Sequence, residues 1–323
     1  MTTAARSLKL VFCGTPQFAR PTFDALVAAG HQIALVVSQP DRPVGRDQQL
    51  TAPPVKQMAQ AAGIPVVQPE KIRNNQEFRA QLEAIAPDAI VVVAYGRIVP
   101  PWMLALPRLG CINLHASLLP KHRGAAPIQW AIAMGDALTG NTTMLLEEGL
   151  DTGPILLQRT LEIGPNQTAA DLFTLLAREG APLVIETLAG LADGTIQPQP
   201  QNHEGATYAP LLNREDGRMD FAARSATELH NRWRGFQPWP GAFTALHGKK
   251  LIVHRMSAMH ESETEWLGIA APGSVRVENH RLFVACAGNS WLELKEVQLE
   301  GKKRLDAAEF LRGNPLAPDA RLG

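Results

Sequence analysis

The sequence predicts an α/β protein: a Rossmann-like domain with a mostly parallel sheet, followed by a smaller OB-like β-barrel domain. Three observations lead there. In the first half, short apolar runs alternate with helical stretches, as expected of a parallel sheet covered on both faces. After residue 191 the pattern changes to five short strand-like runs separated by turn residues, as in a small barrel. Between the two, residues 193–200 gather Gly194, Pro198 and Pro200 among polar side chains, which is linker composition. The expected boundaries are 1–192 for the first domain, 193–210 for the linker and 211–323 for the second domain.

Residues 8–13 form an apolar run ending at Gly14, and Thr15-Pro16 opens a helix that runs to about residue 28 and is punctuated by Gly30. Residues 33–38 read as a second buried strand, and 39–47 as a polar, proline-rich loop. Residues 53–62 suit a helix with proline in its first turn. Then come a short strand at 64–67, a helix at 76–85, a strong strand at 89–94 and another strand at 111–115. In the second domain, residues 226–235 read as a helix stopped by Gly235 and Pro238. Strands are expected at 242–246, 250–256, 273–277, 281–285 and 291–298, with a closing helix at 306–311. His247-Gly248, Glu278-Asn279-His280 and Gly288-Asn289 supply turn chemistry between those strands. Cys13 and Cys111 are expected as inert core thiols. Trp102, Trp130 and Trp291 are expected in or near the core, and Trp239 as a packing anchor.

A chain of 323 residues, 45% hydrophobic, has ample material for a core. Its 31 basic and 31 acidic side chains cancel, which excludes a strongly basic nucleic-acid binder and an acidic disordered tail. A local basic face stays open: residues 1–205 carry 15 basic and 17 acidic groups, residues 206–323 carry 16 and 14. Cys13, Cys111 and Cys286 are far apart and odd in number, so neither a disulfide framework nor a Cys-x-x-Cys pair follows, and a reducing cytosol suits them. No stretch approaches the roughly 18 apolar residues of a membrane helix, and residues 1–9 carry no apolar run of signal-peptide length. The expectation is a cytoplasmic protein.

Several familiar motifs fail. After the first strand, Gly14-Thr15-Pro16-Gln17-Phe18-Ala19 lacks the second and third glycines of a dinucleotide fingerprint. There is no Walker A sequence, no His-Glu-x-x-His and no Gly-x-Ser-x-Gly elbow. The unusual segment is Asn113-Leu114-His115-Ala116-Ser117-Leu118-Leu119-Pro120. Strand residues two apart face the same side, so Asn113 and His115 point together from one strand end, where open α/β sheets bind ligands. An amide and an imidazole side by side can donate to one developing oxyanion. They can equally be two satisfied polar residues at a strand end. In Glu147-Glu148-Gly149-Leu150-Asp151-Thr152-Gly153, glycines flank an aspartate and would let backbone approach a ligand. A carboxylate there would orient His115 and favour its charged form; an ordinary Asx turn is the other reading. One His and one Asp make no metal site.

These segments, with Arg123-Gly124-Ala125-Ala126-Pro127-Ile128 and Leu150-Asp151-Thr152-Gly153, resemble the signature of the folate-dependent formyltransferases. Further matches are Phe12-Cys13-Gly14-Thr15-Pro16, Gln39-Pro40-Asp41-Arg42-Pro43, Val92-Val93-Ala94-Tyr95-Gly96, Pro238-Trp239-Pro240-Gly241-Ala242 and Gly301-Lys302-Lys303-Arg304. They narrow the resemblance to the branch acting on a charged tRNA. The resemblance implies transfer of the formyl group of 10-formyltetrahydrofolate to the α-amino group of initiator methionyl-tRNA, without metal. It implies Asn113 and protonated His115 on the oxyanion, Asp151 orienting His115 and assisting proton transfer, and Ser117, Leu118, Leu119 and Pro120 lining the folate site, there through backbone contacts. For tRNA it points to Arg42 and Arg46, whose charge Asp41 and Asp47 offset, and to Lys249, Lys250, Lys302, Lys303 and Arg304. A monomer with no obligate protein partner is expected. The alternatives are a folate-dependent formyltransferase acting on a sugar-nucleotide amine, and a noncatalytic RNA-binding protein.

Overall fold

The computed structural model describes residues 7–45 and 47–323, so Arg46 lies outside the described residues. The chain forms two compact units. The first holds residues up to 127, 138–162 and 171–210; the second holds 128–137, 163–170 and 211–323.

In the first unit, strands β1 (Lys9–Gly14), β2 (Gln32–Val37), β3 (Arg42–Val44), β4 (Gln49–Thr51), β5 (Val66–Val67), β6 (Ala89–Val93), β7 (Cys111–His115), β8 (Leu138–Leu145) and β9 (Ile155–Glu162) follow the chain. Helices α1 (Arg20–Ala28), α2 (Pro54–Ala61), α3 (Gln76–Ile85), α4 (Pro101–Leu104), α5 (Pro127–Ala133, mostly in the second unit) and α6 (Ala169–Ala192) connect them. The seven-stranded sheet has the order β5-β2-β1-β6-β7-β8-β9. Its strands are parallel from β5 to β7, and β8 and β9 then join antiparallel. The strands read as continuous apolar runs because they are buried on both sides: Val11, Cys13, Leu35, Val37, Ile90, Val92 and Cys111 share one cluster with Phe78 and Leu82 of α3. Cys13 and Cys111 sit there as core thiols, and burial pushes the Cys111 thiol up to about 12. Asn75 starts α3 by accepting the Phe78 N–H at 3.0 Å.

The expected loop after β2 is instead the hairpin β3–β4, with Arg42 opposite Thr51. The stretch 138–192, not assigned from sequence, holds β8, β9 and the 24-residue α6. Leu172, Leu176, Ala177, Leu183, Val184 and Leu188 make its buried helical stripe. Gly180 lets that helix lie close on β7, since a Cβ there would stand 2.6 Å from the Leu114 side chain. Residues 193–210, expected as a linker, run along this unit, where Ile155 and Gln199 exchange backbone hydrogen bonds of 2.8 Å.

The second unit contains α7 (Ala226–Gly235), β10 (Phe243–Leu246), β11 (Lys249–Ala258), β12 (Val275–Glu278), β13 (Arg281–Cys286), β14 (Ser290–Leu299), β15 (Arg304–Asp306) and α8 (Ala307–Gly313). The strands form an antiparallel sheet in the order β10-β11-β14-β13-β12, with β15 on β14. The tail links its two edges: Leu246 bridges Leu322 and Ser274 bridges Arg321, which closes the sheet on itself. The five expected strands are all present; β15 is additional, a three-residue strand too short to carry an alternating pattern. Ser225 and Glu228 form a reciprocal capping box on α7. Gly235 ends α7 with a packing role, because a Cβ there would come within 2.6 Å of the Gln129 carbonyl of α5. Trp291 is buried and donates Nε1–H to Gly268 O at 3.1 Å. Trp239, expected as an anchor, is 54% exposed, between the cis bonds Gln237–Pro238 and Trp239–Pro240.

His230 on α7 stacks on Trp233, with ring centroids 5.5 Å apart. Burial, then Arg234 and Lys295, pushes its imidazole down to about 4. The unfolded chain takes up this proton from about pH 6.5 downward, whereas the folded protein does so only near 4. Stability should therefore fall as pH drops through that window. In urea titrations His230→Gln should lose less stability than the parent between those limits, and parallel pH curves would refute the assignment.

Candidate active site

The site grows from the carboxyl end of β7. Parallel pairing with β6 on one side and antiparallel pairing with β8 on the other hold its residues in register: Asn113 lies opposite Val92 and Met144, and His115 opposite Thr142. The alternation of the strand turns Asn113 and His115 to one side. His115 is 6% exposed and Asn113 is half-buried. The Asn113 amide has no hydrogen-bond partner among the described residues.

His115 Nε2 lies 2.9 Å from the His122 carbonyl. A carbonyl only accepts, so Nε2 carries a proton and the ring orientation is fixed. Nδ1 then faces Asp151 Oδ2 at 3.7 Å, close enough for an ion pair and too far for a hydrogen bond. That oxygen accepts the Gly124 N–H at 2.8 Å. Asp151 has a left-handed backbone, φ +50°, a region that aspartate tolerates better than most residues. The structure thus brings Asn113, His115 and Asp151 into one unit and joins His115 to Asp151.

Beyond β7 the chain turns through Ser117 to Pro120, with a cis Leu119–Pro120 bond. Ser117 is fully buried and its hydroxyl donates to Lys121 O at 2.6 Å, which excludes it as a nucleophile. Thr142 of β8 is the hub. Its hydroxyl donates to Ser117 O at 2.7 Å and accepts Leu119 N–H at 3.1 Å and Gln158 Nε2–H at 2.9 Å. Gln158 also donates to Leu119 O at 2.9 Å, and Lys121 N–H to Leu118 O at 3.1 Å. Ser117 O, Leu118 O, and the Leu119 N–H and carbonyl are thus engaged inside the fold, and the segment also offers the half-buried apolar sides of Leu118 and Pro120. The glycines flanking Asp151 are also required by the fold. A Cβ on Gly149 would stand 2.0 Å from Thr152 Oγ1, and one on Gly153 1.9 Å from Leu145 O.

Sequence reasoning passed over two residues here. Gln201 donates through Nε2 to Asp151 O at 2.9 Å and Gly153 O at 2.7 Å. Arg123 donates to Gln201 Oε1 through Nε at 3.1 Å and Nη2 at 2.6 Å. Arg123 lay in a quoted motif, but no spacing links it to a glutamine in an apparent linker.

Of the cationic candidates, Arg42 is exposed and donates to Gln39 Oε1 at 2.9 Å. Asp41 does not offset it: its carboxylate pairs with Lys56 Nζ at 2.7 Å, and hydrogen bonds from Lys56 and Gln68 hold that carboxyl below its ordinary range. In the second unit, the β10–β11 turn and the β14–β15 turn lie at the same end of the sheet, since Glu300 N–H donates to Lys250 O at 2.8 Å. Lys249, Lys250, Lys302 and Lys303 therefore share that end of the sheet. Lys250 Nζ lies 3.8 Å from the Phe243 ring centroid. Arg304 differs, being held by both carboxylate oxygens of Glu296. A cavity of about 520 Å³ in this unit is lined by Arg218, Arg224 and Arg232 against Glu215 and Asp220, and includes none of the expected site residues. Among the described residues no group of His, Cys, Asp and Glu is arranged to hold a metal ion, and no helix is long and apolar enough to cross a membrane.

Residues 8–188 match the formyl transferase family and 211–315 the formyl transferase C-terminal domain. The chain is 66% identical to the methionyl-tRNA formyltransferase of Acidobacterium capsulatum over 98% of its own length and all of that protein. It is 56% identical to that of Koribacter versatilis, covering 94% of this chain and 95% of the relative. In fold it resembles an N-formyltransferase from Helicobacter canadensis crystallised with folinic acid and dTDP-3-aminofucose, with a TM-score of 0.66 at 18% identity over 89% of this chain and 98% of that one. The chain therefore belongs to the formyl transferase family. Within that class it belongs to the methionyl-tRNA formyltransferase family.

The hub makes a stability claim. Thr142→Val should lower the unfolding free energy by about 1–3 kcal/mol, since it strands Leu119 N–H and one Gln158 donor. Denaturant titration checks this, and an unchanged midpoint would count against the hub.

Proposed function

We propose that this enzyme transfers the formyl group of 10-formyltetrahydrofolate to the α-amino group of initiator methionyl-tRNA, giving N-formylmethionyl-tRNA. The observation that carries it is the His115–Asp151 pair beside an unpartnered Asn113 amide, in a chain 66% identical to a methionyl-tRNA formyltransferase. The neutral amine attacks the formyl carbon, and the new C–N bond leaves a tetrahedral oxyanion. Asn113 Nδ2 donates to that oxygen. His115 acts as imidazolium: Nε2–H is spent on His122 O, and a second proton on Nδ1 faces a carboxylate too distant to consume it. An unprotonated Nδ1 would oppose its lone pair to that carboxylate. The Nδ1 proton therefore serves the oxyanion, in a buried setting where such donors count for more than in water. Asp151 keeps Oδ1 for the amine proton, which passes to the folate nitrogen as its bond to the formyl carbon breaks. Leu118 and Pro120 offer apolar surface to the folate.

A sugar-nucleotide amine as acceptor rests on the fold likeness alone, at 18% identity. The tRNA reading rests on full-length relatives and on Arg42 and the lysine cluster.

His115→Ala, Asp151→Ala and Asn113→Ala should each lower kcat by roughly 10²–10⁴ in a formylation assay with charged tRNA. A variant within tenfold of the parent would remove that residue's role, and for Asn113 a change confined to folate KM would do so.

With Arg42, Lys249, Lys250, Lys302 and Lys303 as the phosphate contacts, log Kd against log salt should have a slope no steeper than about 4.5, at about 0.7–0.9 per contact. Arg42→Ala should weaken tRNA binding and flatten the slope by about one contact. Filter binding across a salt series tests both; unchanged affinity and turnover in Arg42→Ala, or a much steeper parent slope, would overturn the map.

A further inference from the structure

We propose that Gln201 and Arg123 are positioning residues that set the geometry of Asp151 through its backbone. The proposal rests on the reading of Asp151 as the group that orients His115 and takes the amine proton, and extends it by two residues that touch no reacting atom.

Gln201 is 6% exposed, and its amide is used on both sides. Only Nε2 can donate to the carbonyls of Asp151 and Gly153, and only Oε1 can accept from the Arg123 guanidinium, so the amide has one orientation. Arg123 is 3% exposed, and no carboxylate pairs with it among the described residues. Its remaining partner is His203 Nδ1 at 3.1 Å, which accepts because an arginine only donates.

A buried guanidinium held by neutral acceptors is a poor device for stability. A carboxylate at position 201 would satisfy Arg123 better. What glutamate lacks is the pair of N–H donors, and those are what reach Asp151 and Gly153. The need for glutamine is therefore set on the Asp151 side, with Arg123 fixing the acceptor end. The need is plain from the Asp151 backbone, which lies outside regular secondary structure at φ +50° and has no ladder to hold it. The Gly124 N–H fixes Oδ2 and Gln201 fixes the carbonyl, so both ends of the residue are tied.

Gln201→Glu keeps an acceptor for Arg123 and removes the donors to Asp151. It should retain the parent's thermal midpoint within a few degrees, keep KM for both substrates within about threefold, and lower kcat by about 10- to 100-fold, the range for a misplaced catalytic group. Gln201→Met, of similar volume, serves as the second variant if the carboxylate prevents folding, with the same kcat-selective loss expected of its folded fraction. In an Asp151→Ala background the Gln201 substitution should cost less than threefold more. An impaired Asp151→Ala beside a normal kcat in Gln201→Glu overturns this proposal alone, as do additive losses in the double variant. An Asp151→Ala enzyme within tenfold of the parent overturns the reading of the site itself, and the proposal with it.

Discussion

The site depends on a carboxylate that regular secondary structure does not hold. Asp151 stands in a bend after β8, in a left-handed conformation, and its place is fixed by the Gly124 N–H on Oδ2. That bond ties the segment after β8 to the segment after the Ser117–Pro120 turn. The same segment supplies the His122 carbonyl that orients His115. Two adjacent pieces of backbone, residues 122 and 124, thus set both members of the pair. Gly124 can serve because it is glycine: its φ is +121°, and a Cβ would meet the Ala209 carbonyl at 2.7 Å. The strand-like pairing of residues 122–124 with 207–209 anchors this backbone in turn, through hydrogen bonds of 2.9 Å from Arg123 N–H and 2.7 Å from Ala209 N–H.

Sheet topology explains why this cluster forms beside β7. Strands β1, β6 and β7 run parallel and end together, so polar residues at their carboxyl ends are left beyond the ladder. A purely parallel sheet would need a crossover helix to reach the next strand. Here β8 returns antiparallel, and its Thr142 sits directly across from His115. The hydroxyl of that residue takes over where the ladder stops, tying Ser117 and Leu119 to the sheet. The turn that carries the chain from His115 to Gly124 is thereby built on β8.

Much of this was legible in the sequence where the signal is local. Buried strands such as 89–93 announce themselves by unbroken apolar runs, and α7 by the Gly235 and Pro238 that stop it. The shared orientation of Asn113 and His115 followed from the two-residue period of a strand. The stretch 138–192 was illegible for physical reasons. Strand β8 reads Leu-Thr-Gly-Asn-Thr-Thr-Met-Leu, polar although almost wholly buried, and several of its polar groups meet partners far along the chain: the Thr143 hydroxyl bonds that of Thr187, and Asn141 Nδ2 donates to the Leu176 carbonyl. The glycines around Asp151 have a role that the sequence alone does not show, since they lie close against Thr152 and Leu145. Gln201 was hidden by its setting, a polar residue in a Pro- and Gly-containing stretch whose packing only the fold reveals.

Charge is the other place where composition and structure differ. A net charge of zero counts every cation alike, but the structure sorts them. Lys56 is spent on Asp41, and that leaves Arg42 with only a neutral partner, Gln39. Arg304 is spent on Glu296, so a run that reads as three adjacent cations presents two. Lys249, Lys250, Lys302 and Lys303 gather at one end of the antiparallel sheet because two separate turns end there, which no sequence window contains. A polyanion meeting this surface would find a few cations with unspent charge on a nearly neutral background. Such a surface favours ligands whose phosphates match those positions and gives little to any other, since the long-range field that attracts nucleic acid indiscriminately requires an excess of positive charge that this chain does not have.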